Sequence, residues 1–144
     1  MEKLLATLED LEREAWELGA KLRPLADRAT LVTLSGELGA GKTAFTKALA
    51  KALGVEESVT SPTFVLEKIY EPGNQVFKRL VHIDAYRLEG GAELGPLGFD
   101  AVMRDSGNLV VLEWPEKVAD ALPPATVSIR LEALQSGARK LTYG

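Results

Sequence analysis

Eight consecutive residues, Gly36-Glu37-Leu38-Gly39-Ala40-Gly41-Lys42-Thr43, match the pattern G-x-x-x-x-G-K-S/T in full. Each fixed position has a physical task. The glycines Gly36, Gly39 and Gly41 let the backbone close tightly, so that successive N–H groups point into one concavity and can hold phosphate oxygens. A helix beginning at Lys42 adds the partial positive charge of its N-terminus at the same place. Lys42 is expected to reach the β- and γ-phosphates of a nucleotide as a point charge, and the Thr43 hydroxyl to ligate Mg²⁺.

Such a loop needs an acid near its metal. In open α/β sheets that acid stands at the carboxyl end of a neighbouring apolar strand. Two residues qualify: Glu113 after Leu109-Val110-Val111-Leu112, and Asp84 after Leu80-Val81-His82-Ile83. Glu113 is assigned to the Mg²⁺ sphere, directly or through water. Asp84 is assigned to the attacking water or the outer shell of the metal, and the two roles are exchangeable. With Lys42 they form the expected catalytic set. Ser61-Pro62-Thr63 reads either as a segment whose hydroxyls sense the γ-phosphate or as a polar turn. Trp114 reads as a lid over the nucleotide or as a core residue. His82, inside an apolar strand, reads as a hydrogen-bonded structural histidine in preference to a catalytic one.

The elements that must carry these residues follow from periodicity. Leu8, Leu11, Ala15, Leu18 and Leu22 form one apolar stripe, which predicts a helix from Leu8 to Leu22 with Thr7 as N-cap and Asp10 three residues on. Thr30–Ser35 reads as a buried strand entering the glycine loop. A helix from Lys42 to Leu53 follows, with Phe45, Ala48, Leu49 and Ala52 inward and Gly54 as its stop. Val65–Tyr70 and Lys78–Ile83 read as a hairpin around Glu71-Pro72-Gly73-Asn74. The segment from Leu88 to Gly98 is irregular, and Phe99–Arg104 reads as a short helix. Leu109–Leu112 is an apolar strand, after which Pro115 opens a helix that Pro123-Pro124 ends. Thr126–Leu131 and Arg139–Thr142 pair around Ser136-Gly137. Helices alternating with strands and hairpins imply an α/β domain with a mixed sheet.

Composition narrows the chemistry. The 144 residues suit one domain spanning 1–144 and include no Cys and one His. Thiol chemistry and sites needing several His ligands are thereby excluded. The net charge of −4 disfavours stand-alone nucleic-acid binding, which needs clustered Lys and Arg. No run is long and apolar enough for a membrane span, and the acidic N-terminal stretch is unlike a leader. A cytoplasmic location and no membrane partner are expected.

Taken together, four segments resemble the bacterial TsaE (YjeE) family over about residues 8–142. They are the loop with its L-G-A-G-K-T core, Ser61-Pro62-Thr63-Phe64 as its S-P-T-F/Y segment, His82-Ile83-Asp84-Ala85-Tyr86-Arg87-Leu88 as its H-x-D-x-Y-R segment, and Glu113-Trp114 as its E-W segment. The resemblance implies a three-layer P-loop NTPase-like domain with ATP and Mg²⁺ as cofactors. It implies weak ATP hydrolysis in support of the partner subunits TsaD and TsaB. These together transfer a threonylcarbamoyl group to the adenosine 3′ of the tRNA anticodon, and tRNA is reached through the complex. Residue by residue, Thr43 and Glu113 match the metal positions, Gly39, Ala40, Gly41, Lys42, Thr43 and Ala44 the phosphate-contacting run, and Asp84 a position important for hydrolysis. Trp114 falls near the site and Arg139 at a C-terminal nucleotide contact, while Ser61, Pro62 and Thr63 become a switch or partner contact. Ala15 and Ala44 depart from the pattern, each standing where many members carry Thr.

Three other readings share the loop. A small P-loop metabolite kinase would need an Arg-rich lid, which is not evident. A GTPase would carry N-K-x-D, yet neither Asn74 nor Asn108 precedes a Lys. A nucleotide-gated scaffold would hydrolyse only incidentally.

Overall fold

The computed structural model describes residues 1–59, 67–74 and 76–144. The S-P-T segment at Ser61, Pro62 and Thr63, and the start of the strand expected from Val65, lie outside the described residues.

The chain runs β1 (Glu2–Leu5), α1 (Leu8–Lys21), β2 (Thr30–Ser35), α2 (Lys42–Ala52), β3 (Glu67–Tyr70), β4 (Arg79–Asp84), α3 (Phe99–Arg104), β5 (Asn108–Glu113), β6 (Val127–Ala133) and β7 (Arg139–Tyr143). Among the described residues seven strands make one sheet in the order β1-β7-β6-β2-β5-β4-β3. Its centre, β6-β2-β5-β4, is parallel, and antiparallel strands flank it on both sides. This is the mixed α/β sheet that the element order implies.

Strand periodicity of two sends alternate residues to opposite faces. Val32, Leu34, Leu80, Leu109, Val111, Ile129 and Leu131 meet α1 and α2 on one face. Leu31, Val81, Ile83, Val110 and Leu112 meet Phe99 of α3 and the apolar residues of neighbouring turns on the other. Three layers result, with β2 and β5 buried on both faces, as parallel strands require.

α1 begins at a reciprocal cap: the Asp10 N–H donates to the Thr7 hydroxyl at 3.1 Å, and the Thr7 N–H donates to the Asp10 carboxylate at 3.2 Å. Leu11, Ala15, Leu18 and Leu22 of its stripe are buried, whereas Leu8, at the first position of the helix, is exposed. Gly19 brings α1 close to α2: a Cβ there would stand 3.0 Å from that of Ala52, which is half-buried at this contact. α2 stops where expected, with Gly54 N–H donating to Lys51 O and Val55 N–H to Ala50 O.

Two expectations need correction. The helix expected after Pro115 is two short 3₁₀ turns, Pro115–Lys117 and Ala119–Ala121. Only Val118 and partly Leu122 reach the core there, too few apolar residues to seat a helical face. The irregular Leu88–Gly98 stretch contains a longer 3₁₀ turn, Gly91–Leu97. β1 had no counterpart in the sequence reading at all. Among the described residues, no helix is long and apolar enough to cross a membrane.

Candidate functional site

The carboxyl ends of β2, β5 and β4 lie side by side. Leu34 is in register with Glu113 and Asp84 with Glu113. Backbone bonds continue past the strand ends: Trp114 N–H donates to Leu34 O at 3.1 Å and Ala85 N–H to Glu113 O at 3.0 Å. The Gly36–Thr43 loop rises from β2 at this edge and delivers the N-terminus of α2 over it. Gly36, Gly39 and Gly41 all have positive φ, at 142°, 80° and 106°. At Gly36 there is also no room for a side chain, since a Cβ would lie 2.3 Å from the Leu131 carbonyl oxygen of β6.

A cavity of about 390 Å³ opens here, walled by loop, α2 and strand-end residues. Of the residues expected to contact a nucleotide, Gly39, Gly41, Lys42, Thr43, Ala44 and Trp114 line it, and Asp84 and Glu113 line it with them. Gly36, Ala40 and Arg139 do not line it. Gly36 turns towards β6, Ala40 is buried beneath the loop, and Arg139 lies behind it. From that position Arg139 Nε donates to Ala40 O at 3.1 Å and its Nη2 to Gly39 O at 3.4 Å. Its observed contacts therefore brace the loop from outside. Leu38, Tyr86 and Arg87 also line the cavity. Spacing alone gives these three no role, although Tyr86 and Arg87 stand in the same short segment as Asp84.

Lys42 is 5% exposed. Its ammonium donates to the carbonyl of Gly36 and, at 2.9 Å, to that of Glu37. It also sits 4.1 Å from the centre of the Trp114 ring. Burial pulls its pKa below the usual 10.5, against the opposing pull of the Glu113, Glu116 and Asp84 carboxylates. Trp114 is half-buried and stacks obliquely on Tyr86 at 5.0 Å between ring centres. Among the described residues it alone, glycines apart, has a positive φ, 62°. That left-handed turn carries the chain out of β5 and sets the indole against the cavity, so Trp114 is both wall and packing. Asp84 Oδ1 accepts from the Tyr86 N–H at 3.0 Å. Glu113 is 2% exposed, and its carboxylate meets His82 Nε2 at 2.5 Å. His82 itself is wholly buried.

The donors fit a hard divalent cation. Mg²⁺ favours one or two carboxylates, a hydroxyl and phosphate oxygens over an all-protein cage. Thr43, Glu113 and Asp84 supply that set, and among the described residues no cluster of three or more His, Cys, Asp or Glu offers an alternative cage.

Comparisons with known proteins point to one family. The family model for "Threonylcarbamoyl adenosine biosynthesis protein TsaE" matches residues 9–141. The chain is 44% identical over 117 residues to the tRNA threonylcarbamoyladenosine biosynthesis protein TsaE of Streptomyces coelicolor, covering 81% of this chain and 77% of that one. It is 38% identical over 124 residues to the protein of the same name from Treponema pallidum, covering 86% and 88%. Its fold is similar to the crystal structure of YdiB from Bacillus subtilis, with a TM-score of 0.80 at 28% identity over 99% of this chain and 83% of that one.

Proposed function

This chain belongs to the TsaE family, and from that membership we propose that it binds and hydrolyses Mg-ATP to support turnover of a partner transferase. The modification served would be threonylcarbamoylation of the adenosine 3′ of the tRNA anticodon. One observation carries the nucleotide part: Lys42, Thr43, Asp84 and Glu113 all line a single cavity at the carboxyl edge of the sheet.

The chemistry follows from that arrangement. Loop N–H groups and the α2 N-terminus hold phosphate oxygens. Lys42 gives up the Gly36 and Glu37 carbonyls and turns its charge to the phosphates. Thr43 and Glu113 would hold Mg²⁺, which would neutralise charge on the phosphate oxygens. Asp84 orients the attacking water, and Trp114 with Tyr86 shields one side of the cavity from solvent. At a net charge of −4, the chain leaves tRNA to TsaD-type and TsaB-type partners in the cytoplasm.

The test compares the chain and Lys42→Ala for ATP binding and hydrolysis, alone and with candidate partners. Removing a charge aimed at the reacting phosphate should cost about 100-fold or more in rate. Unchanged affinity and rate in that variant would overturn the nucleotide reading. Parental ATPase with no response to any partner would overturn the accessory role.

A further inference from the structure

We propose that His82 is a positioning residue for Glu113: its ring N–H holds one carboxylate oxygen so that the other is presented to the cavity. The proposal rests on the Mg-ATP reading of that cavity.

His82 is wholly buried, and the one hydrogen bond its side chain makes among the described residues goes to Glu113. Its Nδ1 is buried with no hydrogen-bond partner among the described residues. Only one tautomer suits this setting. With the proton on Nε2, the ring donates to the carboxylate and leaves a lone pair at Nδ1. The other tautomer would strand an N–H in the core and set a lone pair against an anion.

Strand geometry makes the arrangement specific. His82 and Asp84 are two residues apart on β4 and so share a face, and Glu113 stands beside Asp84 in register. A single strand thereby provides one acid of the cavity and the brace for the other. The brace has a physical consequence. A glutamate has three rotatable bonds, and Lys42 stands near enough for its charge to be felt. Without the donor at its back, the carboxylate would be drawn towards that ammonium and away from the position where it can serve a metal. Hydrogen-bond partners of metal-holding side chains commonly change affinity or activity 10- to 100-fold, on this orienting ground.

The experiment compares His82→Met, which keeps the volume and removes the donor, with His82→Gln, whose amide N–H reaches a similar place. Mn²⁺ binding to the complex with a non-hydrolysable ATP analogue is read by electron paramagnetic resonance, alongside steady-state ATP hydrolysis. His82→Met should weaken Mn²⁺ binding about 10-fold or more and lower kcat similarly, with KM for ATP within about 2-fold. His82→Gln should recover most of both. In a Glu113→Gln background, His82→Met should add no further loss. Parental Mn²⁺ affinity and rate in His82→Met, or an equal loss in the Glu113→Gln background, overturns the proposal. Should His82→Met fail to fold, the ¹⁵N spectrum of the parental imidazole decides. A protected proton on Nε2 supports the proposal, and a ring protonated on Nδ1 alone overturns it. A parental chain that binds no analogue and hydrolyses no ATP removes the nucleotide reading instead, and the ring tautomer is still read independently.

Discussion

Among the described residues two glutamates are buried, and they are held differently. Glu14, on α1, is 6% exposed, and both its oxygens are engaged. Lys3 of β1 stands 2.9 Å from one, and the Tyr143 hydroxyl of β7 donates to it at 2.6 Å; Lys3 also donates to the other at 3.1 Å. The cluster pulls the phenol of Tyr143 well above its ordinary range, through burial first and then the adjacent carboxylate. It also raises the pKa of Lys3, chiefly through the hydrogen bond to Glu14. Glu113 is buried more deeply, yet the hydrogen bonds seen among the described residues give it only His82, and it borders a cavity. A carboxylate whose donors are supplied from within the protein fastens elements together. One left with acceptor capacity facing open space is available to a ligand.

The same change made at both sites should have opposite consequences. Glu113→Gln should lower ATP hydrolysis about 100-fold while the thermal midpoint barely moves, because Gln still accepts from His82. Glu14→Gln should do the reverse. It should cost about 1–3 kcal/mol of stability, read by denaturant unfolding, and leave kcat near the parental value. If the two variants behave alike, the distinction between fastener and site is wrong.

Arg139 stands between the two regions, on the β7 of the Glu14 cluster but bonded to the loop of the cavity. Arg139→Ala removes neutral-acceptor hydrogen bonds worth about 0.5–1.5 kcal/mol each. It should therefore raise KM for ATP about 2- to 10-fold with kcat nearly unchanged. A fall in kcat as large as that of Glu113→Gln would mean that Arg139 touches the nucleotide.

The smallest expected effect is protonic. Burial lowers the Lys42 pKa below 10.5, so in the free protein this group loses its proton earlier than an ordinary lysine as pH rises. Nucleotide phosphates favour the charged form and raise that pKa again. ATP binding on the alkaline side should therefore take up protons, and affinity should decline with rising pH before 10.5 is reached. Calorimetry in buffers of different ionisation enthalpy reads the uptake directly. No uptake in the parental chain would place Lys42 away from the phosphates.

Much of this was legible in the amino-acid order because it is local. β2 and α3 have the bounds their apolar patterns predict, and α1 and α2 end within a residue of expectation. The cap at Thr7 and the stop at Gly54 are likewise short-range chemistry. β1 was not legible. Glu2-Lys3-Leu4-Leu5 has neither clean alternation nor a turn signal, and it is a strand because β7 offers it a free edge. Leu8 carries the right spacing for the α1 stripe and still lies in solvent, since periodicity says which face is apolar but not how much of it the rest of the chain covers.

The residues alone determined a glycine-rich loop between a strand and a helix, and two acids at the ends of apolar strands. Those features depend on contacts within a few positions of one another. Tertiary structure decided which acid is buried, that His82 lies behind Glu113, and that Trp114 and Tyr86 wall the cavity. It also set Arg139 behind the loop, 99 positions from its bonding partner Ala40. These are cross-strand relations, set by strand order and register, and a one-residue shift of β4 against β5 would have sent His82 to the opposite face from Glu113.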